Sequence, residues 1–133
     1  MTGKPKGGLR YGDLGAKLIE EIPELEDAYR KLLDWWGEET PGPHIIYGDV
    51  LTPYIIRALE SDDPAAIRKA FELLETLIAD EDVHVQEVAV VTVLEQLQDN
   101  EEWLRLMRPH LGPLGKQAVR DLAQFWRGEL LDW

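Results

Sequence analysis

The chain of 133 residues contains no cysteine and a single serine, Ser61. Without cysteine, disulfides, thiolate chemistry and cysteine-ligated zinc are excluded. Ser61 has no histidine near it in the sequence, so a serine nucleophile is not expected. No apolar run is long enough to span a bilayer, and the basic start "MTGKPKGGLR" lacks the apolar segment that follows in a secretory signal. A cytoplasmic location is the simplest expectation.

Positive charge is also scarce. The 26 acidic residues outnumber the 14 basic ones, and the net charge is −12. Residues 1–12 carry +3 and residues 103–133 carry +2, so the block between them, 13–102, carries −17. A field of this sign repels nucleic acids and anionic membranes, and neither is expected as a partner. It attracts a basic protein. Acidity that serves solubility alone is the competing explanation.

Helical periodicity dominates what is present. The clearest segment is 64–79, where Asp63 is placed to cap, Pro64 takes the first helical position and apolar residues form one stripe. Gly37 is expected to end an earlier helix. A Pro/Gly loop is then expected to run to about Gly48, with Asp49 or Thr52 capping the next helix.

Residues 83–98 are ambiguous, because "VAVVTV" is rich in the β-branched residues that favour strands. A helix is the better interpretation. The apolar run is longer than a typical strand, its apolar residues continue at helical spacing, and no second strand is present to pair with it. A helix that is apolar on most sides is a central one.

The sequence therefore predicts an all-α fold of six to seven helices. An amphipathic helix at 64–79, a short acidic turn and a buried helix at 82–98 have the pattern of a HEAT-like hairpin. This pattern predicts HEAT/armadillo-like stacked helical hairpins. We expect residues 1–12 to form a flexible basic N-terminal leader and residues 13–133 to form a single all-α domain.

Catalytic patterns are weak. His84 and Glu87 have the spacing that di-iron bundles use, but a second such motif is missing. Adjacent carboxylates are expected by chance among 26 acids. We therefore expect no catalytic residue, no metal and no cofactor. A metal-dependent or other enzyme is the less favoured alternative, and it would need a deep pocket that converges on His44, Asp49 and Glu75.

Two carboxylates lie within apolar helical patterns, Glu75 on the edge of one stripe and Glu95 between leucines of the next helix. A carboxylate at such a position needs a hydrogen bond or an ion pair. We expect each to tie its helix to a loop or to the end of another helix, and a ligand-binding role is the alternative.

Five tryptophans are unusual for this length. Trp103 and Trp126 belong to helical stripes and are expected in the core. Trp35 and Trp36 are adjacent, so they point about 100° apart on a helix and cannot both be equally buried. Either one is an exposed anchor rimmed by acids, as protein interfaces use, or the second packs beneath the loop that follows. The predicted partner-binding residues are Trp35, Trp36, Glu38, Glu39, His44, Tyr47 and Asp49. The alternative is a mere corner between helices, with Gly48–Asp49 as a turn and cap and with Tyr47 and Tyr54 packed inward.

The segments "PHIIYGDVLTPYIIRALE", "IRKAFELLETLIADEDVHVQEVAVVTVLEQL" and "HLGPLGKQ" resemble a family of small bacterial all-helical proteins. Members of that family are similar to the immunity proteins encoded beside polymorphic toxins. The likeness covers roughly residues 13–125, and the leader is outside it. The matching residues are His44, Tyr47, Gly48, Asp49, Pro53, Tyr54, Phe71, Glu75, Glu95, Leu111 and Gly112.

The resemblance implies an immunity-type (antitoxin) protein that neutralises a basic toxin by binding it, without chemistry of its own. Its acidic, aromatic-bearing surface would lie in the segment from Trp35 to Asp49. A HEAT-like adaptor for another protein complex shares every sequence feature and differs only in its partner.

Overall fold

The computed structural model describes residues 9–132, and the regular secondary structure of this part of the chain consists of helices, with no strand. The all-α class with six to seven helices is therefore confirmed, and HEAT-like stacking stays a prediction. Three single 3₁₀ turns lie at Tyr11–Asp13, Pro23–Leu25 and Arg108–His110. The seven described helices are α1 (Leu14–Glu21), α2 (Glu26–Trp36), α3 (43–61), α4 (Pro64–Ile78), α5 (83–98), α6 (Glu101–Met107) and α7 (Pro113–Arg127).

Helices α3 and α5 each change their winding part-way. The middle of α3, Tyr47–Leu51, and the middle of α5, Val88–Leu94, are π-helical. In a π-helix each amide bonds to the carbonyl five residues earlier, so one turn holds an additional residue and is wider. The two π segments pack against each other. The contact between α3 and α5 is therefore made by the two widened turns.

Helix α5 lies at the centre of the fold, in contact with α3, α4 and α7. The strand alternative for this segment is wrong, and the central helix is confirmed. Fully buried large side chains of this kind contribute about 1.5–3 kcal/mol each, which makes α5 a main source of stability. Its buried apolar residues are Val85, Val88, Ala89, Val93, Leu94 and Leu97.

A glycine and a polar pair make the close approach of α3 to α5 possible. A Cβ atom on Gly48 would lie 3.3 Å from Cγ2 of Thr92, so a side chain here would press on α5. Thr92 is 9% exposed, and its Oγ1 forms a short hydrogen bond with Nδ1 of His44 in the first turn of α3. The hydroxyl in the apolar centre of α5 thus has its partner, which a buried polar group requires.

The helix boundaries follow local chemistry. The Asp63 carboxylate accepts a hydrogen bond from the amide of Ala66 at 3.3 Å, and Pro64 takes the first position of α4. This capping is as predicted from the sequence. Helix α2 ends at Gly37 and α7 ends at Gly128, with φ of 69° and 64°. Glycine adopts this left-handed region without the strain that a side chain brings.

The predicted loop to Gly48 is wrong, because α3 already begins at Pro43. Proline suits this first position since it has no amide to leave unpaired, and the carbonyl of Gly42 accepts from the amide of Ile46 at 3.0 Å. The predicted capping role of Asp49 is wrong for the same reason. Asp49 lies inside the π segment of α3 with its side chain exposed.

A buried carboxylate ties the start of the described chain to the turn between α4 and α5. Asp80 is 5% exposed and accepts hydrogen bonds of 2.9 Å from the amides of Leu9 and Asp82. Leu9 and Tyr11 also pack against the core. Residues 9–12 of the predicted leader therefore contact the domain, and residues 1–8 lie outside the described residues.

Within residues 9–132, every helix is too short or too polar to cross a lipid bilayer.

Replacement of Thr92 by valine tests the junction between α3 and α5. The change keeps the shape of the side chain and removes its hydroxyl, so His44 loses its partner. We expect Thr92→Val to lower the free energy of unfolding by about 1–2 kcal/mol, measured by urea denaturation. The control is Thr76→Val on the exposed face of α4, which should change stability by less than about 0.5 kcal/mol. Equal losses in both variants would show that the His44 contact stabilises nothing.

Candidate docking surface

Helix α2 lies at the periphery of the molecule. It begins with Glu26 and Asp27, whose charges suit the positive end of the helix dipole. None of its eleven residues is fully buried. Its inner face is half-buried and consists of Tyr29, Leu32, Leu33 and Trp36. An amphipathic helix normally buries its apolar stripe, so α2 covers the core without being enclosed by it.

The last turn of α2 carries an exposed aromatic ring among acids. Trp35 is 85% exposed, while its neighbour Trp36 is half-buried. The prediction that the two rings differ in burial is thus met, with Trp35 as the outer ring. The acids beside it are also exposed. We call this set the Trp35 surface, and it comprises Asp34, Trp35, Glu38 and Glu39.

Tyr47, a predicted partner-binding residue, cannot belong to an exposed surface. Its side chain is 0% exposed, and its hydroxyl donates a hydrogen bond of 2.8 Å to the carbonyl of Leu14. Burial, and to a lesser degree Glu21, raises the pKa of Tyr47, so the phenol stays neutral and acts as a donor. This prediction is wrong, since Tyr47 joins α3 to α1 inside the core.

His44 and Asp49 take different places. His44 is half-buried, bonded to Thr92, with its ring centroid 6.1 Å from that of Tyr11. It therefore belongs to the junction of α3 and α5 and not to the Trp35 surface. Asp49 is exposed on the segment of α3 against which α2 packs. Of the seven predicted residues, Trp35, Glu38 and Glu39 are exposed and lie within five consecutive residues of the sequence.

Glu75 ties α4 to the start of α7. Its carboxylate oxygens accept hydrogen bonds from the amides of Leu114 at 2.7 Å and Gly115 at 3.1 Å. These amides belong to the first turn of α7, where helix geometry leaves the donors without a partner in the helix itself. A Cβ on Gly112 would lie 2.6 Å from this carboxylate, so a side chain there would displace the carboxylate from its hydrogen bonds. Glu75, which lies on α4, therefore caps the N-terminus of α7.

Glu95 is half-buried on α5, and its backbone carbonyl accepts a hydrogen bond from the side-chain amide of Gln98 at 3.3 Å. The predicted tie from its carboxylate to another element stays a prediction. Gln98 itself is 1% exposed and joins α5 to Arg127 at the end of α7 through a short hydrogen bond. The buried side-chain amide of Gln98 therefore links the C-terminal ends of α5 and α7.

The less favoured alternative, a metal site or enzyme built on the histidines, has no cluster to support it among the described residues. His84 is exposed, and its Nδ1 lies 3.8 Å from Oε1 of Glu87. Among the described residues no group of three or more histidine, aspartate or glutamate side chains is placed to hold a metal ion. His44 and Glu75, which an enzymatic pocket would bring together, are bonded instead to Thr92 and to the start of α7.

A second polar network joins the turn before α2 to α3 and α4. The Glu24 carboxylate accepts from the Tyr54 hydroxyl at 2.5 Å and from Nζ of Lys69 at 3.0 Å. These two hydrogen bonds, from Tyr54 first, lower the pKa of Glu24. Burial, together with the bond to Glu24, raises the pKa of Tyr54. Glu24 is therefore held as a carboxylate that links three elements.

Sequence reasoning missed several of these residues and misplaced Trp126 as well as Tyr47. Trp126, predicted in the core, is 57% exposed on α7, and Trp103 is half-buried with its Nε1 donating to Glu60 at 3.1 Å. Asp80 carried no signal beyond its place in an acidic turn. Thr92 did carry one, because it is the only polar residue in the run "VAVVTVL", and a polar residue in such a run needs a partner.

A family model described as a domain of unknown function, DUF7674, matches residues 15–127. The chain belongs to the DUF7674 family. The matched range contains α2, the Trp35 surface, the α3–α5 junction and the Glu75 cap, so all four lie within the DUF7674 domain of this chain. No curated protein and no solved structure matches the chain. The resemblance to immunity proteins therefore has no named relative behind it and enters below as a proposal.

Substitution of Glu75 tests the cap of α7. In Glu75→Gln one oxygen becomes an NH₂ group that faces the backbone amide donors, so one bond is lost and two donors oppose each other. We expect a loss of about 1–3 kcal/mol in the free energy of unfolding, measured by urea denaturation. Glu72→Gln, on the exposed face of the same helix, is the control and should change little. Wild-type stability in Glu75→Gln would contradict the assignment.

The Glu24 network predicts a dependence of stability on pH. Because the folded pKa is below the unfolded value of about 4.3, the contribution of Glu24 is present above that value and is lost as pH falls through the folded pKa. Glu24 is 44% exposed, so we expect Glu24→Gln to cost only about 0.3–1 kcal/mol at pH 7. The difference from wild type should shrink below about pH 4. Exposed Glu81→Gln should show neither effect.

Proposed function

We propose that this DUF7674 protein is a cytoplasmic, immunity-type binding protein that neutralises a basic partner, a toxin domain, through the Trp35 surface. The observation that supports the proposal most directly is Trp35 itself, a large aromatic side chain 85% exposed within a rim of exposed acids. Interfaces use such rings as anchors, since a ring leaves water at little cost in conformational entropy.

The charge distribution fits a basic partner. The block 13–102 carries −17, and a field of this strength raises the rate of encounter with a cation. The acids of the Trp35 surface then lie where a cationic cleft would meet the ring. The charge of the whole block 13–102 steers the basic partner toward the chain. Trp35, once it is buried in the complex, is the anchor that sets the rate of dissociation.

The structural surroundings of Trp35 also suit docking. Helix α2 has no fully buried residue, so its outer face can be covered by a partner without disturbing the α3–α5 junction. Gly37, with φ of 69°, ends the helix directly after the two tryptophans. Glu38 and Glu39 follow this end directly, three and four residues after Trp35 in the sequence, and both are exposed.

Co-expression with the product of the adjacent gene tests the function. The proposal expects that product to be toxic, basic and bound by this chain, with growth restored when both are made. A non-toxic neighbour that binds the same surface would favour the adaptor alternative. A toxic neighbour whose effect persists in the presence of this chain would contradict the proposal.

Replacement of Trp35 tests the surface in that system. We expect Trp35→Ala to weaken binding of the basic partner by about 30-fold or more, as loss of an interface anchor does, with an unchanged melting temperature because the ring is exposed. The control is Trp126→Ala, the other exposed tryptophan, which lies on α7. Binding measured by calorimetry should separate the two variants, and equal affinities would place the interface elsewhere. Binding should also weaken as salt rises.

A further inference from the structure

An apolar groove lies where α7 meets α4 and α5. It has a volume of about 360 Å³ and is lined mainly by apolar side chains. Its more buried lining residues are Ile78 at the end of α4, Val90 in the π segment of α5 and Leu122 on α7, and they pack on the core. Leu114 and Phe125, which line the groove at the two ends of its α7 side, are 40% and 76% exposed. The groove therefore rests on the core and is open to solvent.

The α7 side of the groove has a shape that another helix fits. Its lining residues recur every three or four positions from Leu114 to Phe125, so they form one stripe along the helix. The two ends of the stripe are separated by about 16 Å, which is roughly three helical turns. The side chains are large at both ends and small at Ala118 near the middle. A side chain of a second helix can enter at this small residue.

Two other modes of peptide recognition lack what they require at this groove. Pairing with an extended peptide needs the exposed edge of a sheet, and residues 9–132 contain no strand. Grooves that bind proline-rich segments are lined by several aromatic rings, whereas Phe125 is the single aromatic residue among the described residues that line this groove. A stripe of mainly aliphatic side chains at helical spacing matches the apolar face of an amphipathic helix instead.

Asp121 indicates the charge of the helix that fits. It is exposed, and it is the one charged side chain among the described residues that line the groove. Its Oδ1 accepts a hydrogen bond of 2.9 Å from Nε2 of Gln117, which also lines the groove. A carboxylate has about four acceptor sites, so Asp121 can accept from a further donor. A cation on the partner would be attracted to Asp121, and an acid would be repelled by it.

The basic residues of α7, namely Lys116, Arg120 and Arg127, lie outside the groove lining. Nη2 of Arg120 donates to Oε1 of Gln117 at 2.6 Å, and Nε of Arg127 donates to Glu129 at 2.9 Å. The guanidinium groups of these two arginines are therefore already bonded within the chain. The chain as a whole carries −12, so its overall field also favours a cation in the groove.

We propose that this groove is a docking site for an amphipathic helix of another protein. The apolar face of that helix covers the stripe from Leu114 to Phe125 over about three turns, and a lysine or arginine beside this face pairs with Asp121. The inference does not rest on the proposed function, because the groove is lined by residues of α4, α5 and α7 and not by the Trp35 surface.

A model peptide tests the groove without knowledge of the natural partner. The probe is a dye-labelled helical peptide of about 18 residues, built from alanine and glutamine, with leucines at i, i+4, i+7 and i+11 and one lysine beside this stripe. Fluorescence anisotropy with the full chain should show saturable binding. A peptide of the same composition, with its leucines scattered around the helix, should bind about tenfold more weakly or less. Equal binding of the two peptides, or no saturable binding of the first, would overturn the proposal.

Two variants of the chain locate the site. Phe125→Ala should weaken binding of the lysine peptide by about tenfold, with an unchanged melting temperature because the ring is exposed. Leu114→Gln should weaken it as well, and the control Trp35→Ala should bind like wild type. Binding that survives both groove variants, or is lost in Trp35→Ala, would place the contact on another face. Sedimentation of the chain alone is the second measurement, and a dimer that is lost in Phe125→Ala would assign the face to a second copy and overturn the proposal.

Exchange of charge on both sides tests the pairing with Asp121. Wild type should bind the lysine peptide about fivefold more tightly than the same peptide with glutamate in place of the lysine, and this preference should shrink as salt rises. Asp121→Lys should reverse the preference. The control Glu39→Lys changes the net charge of the chain equally and should still prefer lysine. A preference for lysine that persists in Asp121→Lys, or that falls equally in Glu39→Lys, would overturn the assignment of the cation to Asp121.

Discussion

The packing of α3 against α5 is the contact on which the rest of the structure depends. Both helices are π-helical where they meet, and the wider turns bring Gly48 and Thr92 together at a distance that would press on any added side chain. A close approach of two backbones gains many dispersion contacts. It also buries Thr92, and the hydrogen bond to His44 offsets the cost of burying that hydroxyl.

With α5 enclosed by α3, α4 and α7, the core needs little from α2. Three carboxylates hold peripheral segments in place by hydrogen bonds. Asp80 holds the start of the described chain, Glu24 holds the turn before α2, and Glu75 holds the start of α7. Each is a carboxylate, and each accepts from amides, a hydroxyl or an ammonium group. Part of the acidity of the chain is therefore structural, while the acids next to Trp35 in the sequence are exposed.

Periodicity was sufficient to predict α4 and α5, because Asp63 and Pro64 mark a helix start and because an apolar run of that length without a strand partner has to be a helix. Periodicity did not predict the start of α3 at Pro43, because proline and glycine are common both in loops and at helix starts. It also misplaced Trp126 and Tyr47. An amphipathic pattern shows which residues share a face, but α7 has two apolar faces, and only the packing of α4 and α5 decides which one is covered.

The two exposed aromatic sites lie on helices that the fold holds differently. Trp35 lies on α2, which has no fully buried residue, whereas Phe125 and Trp126 lie on α7, which Glu75 and Gln98 tie to α4 and α5. The charge next to Trp35 in the sequence is acidic, because Asp34, Glu38 and Glu39 are exposed. A basic partner would therefore be attracted to a helix at the periphery, and its binding would leave the contacts of the central helix α5 unchanged.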